Sequence, residues 1–134
     1  MKQIQNFTPL TDAEARKLTA EKLYSYGITF GTRSFRQLID CIMLWRELDN
    51  PTGLCPMMTK EIYPTVAKQN RTTAKAVERN CRYAVNQIAQ TDLSRARCLS
   101  DFHMEVRPRR GWFSVSEFVA LFCSCVLYAG DWRP

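Results

Sequence analysis

At 134 residues, with 46% hydrophobic and 24% charged side chains, the chain is long enough for one domain with a buried core and too short for two. Its longest apolar run, FVALFCSCVLYAG, falls short of the roughly 20 residues that span a bilayer, and MKQIQNFTPLTD lacks the apolar stretch of a signal peptide. Net charge is +6 and is concentrated in the middle: residues 1–58 sum to +1, 59–90 to +4, 91–110 to +2 and 111–134 to −1. Membrane and secreted classes are therefore set aside, and the charge suggests a polyanionic partner.

In chain order, Thr11-Asp12-Ala13-Glu14 reads as a capping box, and Gly27 as a C-terminal stop, which predicts a first helix over 12–26. Gly27 and Gly31 bracket a short connection. Ser34 is then placed to cap a second helix, in which Phe35, Leu38, Ile39, Ile42, Trp45 and Leu48 follow helical spacing. Asn50-Pro51-Thr52-Gly53 ends it with turn residues. Thr59 starts TKEIYPTVAKQ, whose apolar side is Ile62, Tyr63, Val66 and Ala67; Pro64 either kinks this helix or begins its regular part. Thr72 or Thr73 caps a further helix that runs to about Gln90.

Residues 91–110 are the least periodic and leave room for one short helix and a loop holding Pro108 and an Arg cluster. Ser114-Val115-Ser116-Glu117 is a second capping box that launches a last helix over about 115–128, ending near Gly130. Being apolar nearly all round, it implies deep burial or a subunit interface. With no internal repeat and hardly any strand-like alternation, the fold class is all-α, one domain over 1–134 with a leader over 1–10. The six cysteines are scattered, several on apolar helix faces, which reads as reduced core thiols of a cytosolic protein.

The stretch RTTAKAVERNCRYAV carries the chemistry. Lys75, Glu78, Arg79, Arg82 and Asn86 recur three or four residues apart, and so do Val77, Cys81, Ala84, Val85 and Ile88, so one helix has two faces. Two helices joined by a tight turn, the second charged outside, fit a helix-turn-helix over about 59–89. Its first helix would press Val66 and Ala67 onto Val77 and Cys81.

In that arrangement Lys75, Glu78, Arg79 and Arg82 meet base edges, where a guanidinium fork suits guanine and a carboxylate suits cytosine. Lys60, Lys68, Arg71, Thr72 and Thr73 meet phosphates. The plainer reading is a solvated face with Glu78–Arg82 as an i,i+4 ion pair. Cys123-Ser124-Cys125 with Cys98 and His103 lacks the paired spacing of a zinc site, so no metal is expected. His103, the one histidine, has no evident Ser or Cys partner, and neither a Walker nor a dinucleotide glycine motif is present; no catalytic residue and no cofactor are expected.

From LYSYGITFGTRSFRQLIDCI through TKEIYPTVAKQNRTTAKAVERNCRYAV to SVSEFVALF, the chain resembles the C-terminal effector domain of the stage-zero sporulation protein A family, over about residues 15–128. Gly27, Thr59-Lys60, Tyr63-Pro64, Val66-Ala67, Thr72-Thr73, Val77-Glu78-Arg79 and Ser116-Glu117-Phe118 carry the resemblance. It implies about six helices and a bacterial, cytoplasmic protein that binds double-stranded DNA through its helix-turn-helix as a homodimer or in tandem copies. Glu78 and Arg79 match recognition-helix positions, and Arg82 a further basic one.

Three departures stand out. Where the family tends to have Ser-Arg, this chain has Lys75-Ala76; residues 90–110 match poorly; and the leader is too short for the family's phosphorylated receiver domain. The expected function is a sequence-specific transcriptional regulator that acts without a receiver domain. The rival expectation is a protein-interaction module that pairs with related regulators through its C-terminal helix. Neither a membrane nor a small-molecule partner is implied.

Overall fold

The computed structural model describes residues 9–49, 55–105 and 111–128. The turn expected at Asn50–Gly53, most of the leader, the loop with Pro108 and the Arg cluster, and the stop near Gly130 lie outside the described residues. Six α-helices lie within them: α1 (Asp12–Ser25), α2 (Arg33–Leu48), α3 (Tyr63–Gln69), α4 (Ala74–Ile88), α5 (Asp92–Asp101) and α6 (Val115–Phe122). A π-helical turn, Met58–Ile62, leads into α3, and another, Cys123–Leu127, continues α6. Among the described residues the fold is all-α, as the periodicity implies.

Both capping boxes form. Thr11 Oγ1 accepts from the Glu14 N–H at 3.1 Å while Glu14 Oε1 accepts from the Thr11 N–H at 2.9 Å. Ser114 and Glu117 repeat the exchange at 3.2 and 2.9 Å. α2 departs from expectation: its cap is Thr32, whose Oγ1 accepts from the Phe35 N–H at 3.1 Å, and Ser34 lies inside the helix on its buried side. Pro64 is the second residue of α3, where the chain passes from the π turn into the regular helix. The wider π turn falls on the residues whose carbonyls the proline ring would otherwise crowd.

Three helices end the same way. At Gly27, with φ 91°, the Ile28 N–H donates to the Leu23 carbonyl and the Gly27 N–H to that of Tyr24, which is a Schellman motif closed by the buried pair Leu23 and Ile28. Arg71 (φ 54°) and His103 (φ 55°) occupy the equivalent left-handed position after α3 and α5, with the matching bonds Thr72 N–H to Ala67 and Met104 N–H to Leu99. Neither place carries the glycine that would mark it in sequence.

α2 is the central element and packs on α1, α3, α4 and α6. It buries Phe35, Leu38, Ile39, Cys41, Ile42 and Trp45. An aromatic cluster closes the other side: Tyr26 meets Phe118 and Phe122 edge-on at 6.5 and 6.4 Å between ring centres, and Phe102 meets Phe118 at 5.5 Å. All six thiols are free; Cys41, Cys81, Cys98 and Cys123 are buried, and Cys41 Sγ lies 3.6 Å from Cys81 Sγ.

Candidate nucleic-acid interface

α3 and α4 are joined by a tight turn, Asn70–Thr73. The Schellman bonds stop α3, and Thr73 restarts the chain as the α4 cap, its Oγ1 accepting from the Ala76 N–H at 3.1 Å. Of the two threonines offered by the sequence, the second is therefore the cap. The turn is anchored from behind: Asn70 Nδ2 donates to the Val66 carbonyl at 2.8 Å and to Asp40 Oδ2 at 3.2 Å, while Arg16 pairs with Asp40 Oδ1 at 3.1 Å. Val66 and Ala67 of α3 and Val77 and Cys81 of α4 are all buried in the shared core, and α3 packs on α4.

At about 100° per residue, Glu78, Arg82, Lys75, Asn86 and Arg79 fall in that order within an arc of about 100° on α4. All five are exposed. On the opposite side Val77, Cys81, Ala84, Val85 and Ile88 are buried. Lys60, Lys68 and Arg71 are exposed nearby, on the π turn, on α3 and in the turn; Thr73 is exposed and Thr72 half-buried.

Among the described residues no hydrogen bond or ion pair engages the side chains of Lys60, Lys68, Arg71, Lys75, Glu78, Arg79 or Arg82. The i,i+4 ion pair Glu78–Arg82 is thus not made, and both groups stand ready for an outside partner. Elsewhere several basic groups are committed, Arg46 to Asp12 and the Leu10 carbonyl, Lys22 to Asp101 and Arg95 to Asp92, while Lys17 and Arg33 are exposed and unpaired among the described residues. The α3–α4 face and the turn before it hold six free cations against two carboxylates, of which Glu61 already accepts from the Met57 N–H and Glu78 is free.

Beside this face runs a groove of about 590 Å³ between α4, the first π turn and the start of α6, lined by Lys60, Tyr63, Glu78, Arg82, Phe113 and Ser116 among others. Glu78 and Arg82 border it, whereas Lys75 and Arg79 look outward on the open side. The Tyr63 phenol in its floor is held neutral chiefly by burial, with the Glu78 charge adding to the effect and Arg82 opposing it.

Several residues that hold α4 carry no charge and were not singled out by the sequence. Gln37, only 2% exposed on α2, accepts through Oε1 from Asn80 Nδ2 at 2.9 Å. Gln87 Nε2 donates to Thr29 Oγ1 at 2.8 Å, and the Thr29 N–H returns a bond to Gln87 Oε1 at 3.3 Å. Trp112 Nε1 donates to the Val85 carbonyl at 3.1 Å. The available signal was a glutamine set into the apolar stripe of α2. Tyr83 is 61% exposed on the flank next to Arg79.

His103 is exposed on the loop after α5. Among the described residues no three His, Cys, Asp or Glu side chains converge as metal ligands would. Likewise no described helix is long and apolar enough to cross a membrane.

A family model described as "Sporulation initiation factor Spo0A C terminal" matches residues 19–125, which take in both helices of the motif and the end of α1 through α6. The chain belongs to this family. Searches of curated proteins and of solved structures gave no match. The Spo0A C-terminal domains are DNA-binding sporulation effector domains and not an enzyme family, so the free cationic face falls in a family whose partner is DNA.

Proposed function

We propose that this protein is a sequence-specific DNA-binding transcriptional regulator of the Spo0A C-terminal kind, a single cytoplasmic DNA-binding unit that seats α4 in the major groove. The observation that carries the proposal is the set of unpaired side chains Lys75, Glu78, Arg79 and Arg82, gathered in one arc on the second helix of a helix-turn-helix. The major groove is about 12 Å wide and admits a helix of that diameter. Arg79 and Arg82 then offer forks to guanine, Lys75 a point charge, and Glu78 an acceptor for the cytosine amino group.

Lys60, Lys68 and Arg71 hold backbone phosphates, with the hydroxyls of Thr72 and Thr73 beside them. The Thr73 cap leaves the N–H groups of Ala74 and Lys75 without a helical acceptor, and these face the same backbone. Burial of Phe118 and Phe122 inside the chain counts against an interaction module built on the last helix, although Leu121 of the same helix is only half-buried.

Selection from a random duplex library at moderate salt tests the proposal. The wild type should enrich one motif, and Arg79→Ala should lose about 1–3 kcal/mol on it and relax preference at one base pair. A wild-type selection that enriches nothing removes the claim of specificity. A motif left intact by Arg79→Ala removes the site assignment alone.

A further inference from the structure

The geometry points to Gln37 and Thr29 as positioning residues that fix the roll of α4 about its own axis, and so decide which bases its charged arc meets. The inference rests on the reading of α4 as the DNA-reading helix. The hydrophobic driving force is non-directional. The buried stripe of α4 consists of Val77, Cys81, Ala84, Val85 and Ile88, with no aromatic side chain to key its roll against the core. A roll of about 20° carries a side-chain tip about 6 Å from the axis roughly 2 Å sideways, enough to break a bidentate fork on a guanine.

Directional contacts remove that freedom. Asn80 and Gln87 are seven residues apart, so they stand one above the other on a single flank of α4, about two turns apart. Each is bonded to a different part of the scaffold: Asn80 to Gln37 on α2 at 2.9 Å, Gln87 to Thr29 in the loop before α2 by two bonds of 2.8 and 3.3 Å. On the other flank Trp112 holds the Val85 carbonyl at 3.1 Å. Gln37 is 2% exposed in a stripe that is otherwise mostly apolar, a place where a hydrocarbon side chain would pack without needing a partner. An amide there specifies an orientation that hydrocarbon packing leaves open. Neither Gln37 nor Thr29 lies on the charged arc, so both act through α4 and not on the bases themselves.

The test uses the full chain and two duplexes, the one selected by the wild type and a scrambled one, and compares the wild type with Gln37→Met, Asn80→Ala, Thr29→Val and the Gln37→Met/Asn80→Ala double variant. The readout is the ratio of the two affinities, with thermal unfolding measured in parallel. Each single variant should lower the ratio about tenfold, the size of one mismatched base pair, while affinity for the scrambled duplex stays unchanged. The double variant should fall no further than either parent, because the two residues form one contact.

A cooperatively folded Asn80→Ala or Thr29→Val with an unchanged ratio overturns the inference, and so does an additive drop in the double variant, which would make Asn80 a DNA contact in its own right. Should Gln37→Met fail to fold, the two surface-side variants still decide. A wild type that enriches no motif overturns instead the reading on which the inference rests.

Discussion

Binding by the α3–α4 face should have a salt dependence that can be worked out from its free cations. Lys60, Lys68, Arg71, Lys75, Arg79 and Arg82 are exposed and bonded to nothing among the described residues. Each phosphate neutralised contributes about −0.9 to the slope of log K against log salt. If only Lys60, Lys68 and Arg71 meet phosphates the slope is about −2.7, and if all six do, as on a non-cognate duplex, it is about −5.4. Between about 50 and 200 mM salt these slopes are losses of about 40-fold and about 1,800-fold.

The perturbation is Lys68→Gln, which removes one charge from an exposed position with no partner to orphan; stability should stay within about 0.5 kcal/mol. Fluorescence anisotropy of a labelled duplex, titrated at several salt concentrations, should show the slope shallower by about 0.9 for every sequence alike. A wild-type slope shallower than about −1 would refute the electrostatic reasoning outright. An unchanged slope in Lys68→Gln would remove α3 from the contact surface.

Arg71 holds φ 54° in the motif turn, a conformation that costs a side-chain-bearing residue about 1–2 kcal/mol. Arg71→Gly should therefore raise the urea midpoint while making the salt slope shallower by about 0.9, and a lowered midpoint would show that the turn bears no such strain. Alkaline pH should unfold the chain early. Burial, helped by the Asp49 charge, pushes the Cys123 thiol from 9.0 up to about 12, so its contribution is present in full below pH 9 and is lost as pH rises from there toward 12. Tyr26, raised above its ordinary 10.0 by burial and by its bond to Asp101, joins above pH 10. Each such group removes about 1.4 kcal/mol per pH unit in that window, and urea midpoints under reductant that stay flat from pH 9 to 11 would contradict the shifts.

What the sequence disclosed is what is local. Both capping boxes, the Gly27 stop and the two faces of α4 are encoded within a few residues of one another, and they read off directly. The charged arc was legible for the same reason. The cap of α2 was misplaced because Thr32 and Ser34 are equally capable acceptors, and only burial of Ser34 against the core separates them. α5 was blurred because it buries only Cys98 and Leu99, so periodicity carries little signal, although Thr91 is a good cap. The Schellman turns at Arg71 and His103 lack the glycine that announces such turns. The clamps on α4 were out of reach altogether: Gln37 and Asn80 are 43 residues apart, and Thr29 and Gln87 are 58. Such pairings follow from helix packing, which no local pattern encodes.

The pair Lys75-Ala76 is where this chain should part from its relatives in what it reads. The resemblance read from the sequence implies Ser-Arg there. Lys75 is exposed at the middle of the charged arc, while Ala76 is half-buried on the flank shared with Tyr83 and Asn80. One step along the helix turns a side chain by about 100° and lifts it about 1.5 Å. Moving the cation from 75 to 76 therefore takes it off the arc, to the flank on which Asn80 and Gln87 bond to the scaffold.

The variant Lys75→Ser/Ala76→Arg should enrich a motif that differs from the wild type at one base pair or two adjacent ones, each discriminated by about 1–3 kcal/mol, with the position assigned to Arg79 retained. Ala76→Arg alone should leave the motif as it is and steepen the salt slope by about 0.9, because its added charge reaches a phosphate. If the double variant selects the wild-type motif, Lys75 reads no base. The departure from the family pattern would then lie in backbone affinity and leave the operator unchanged.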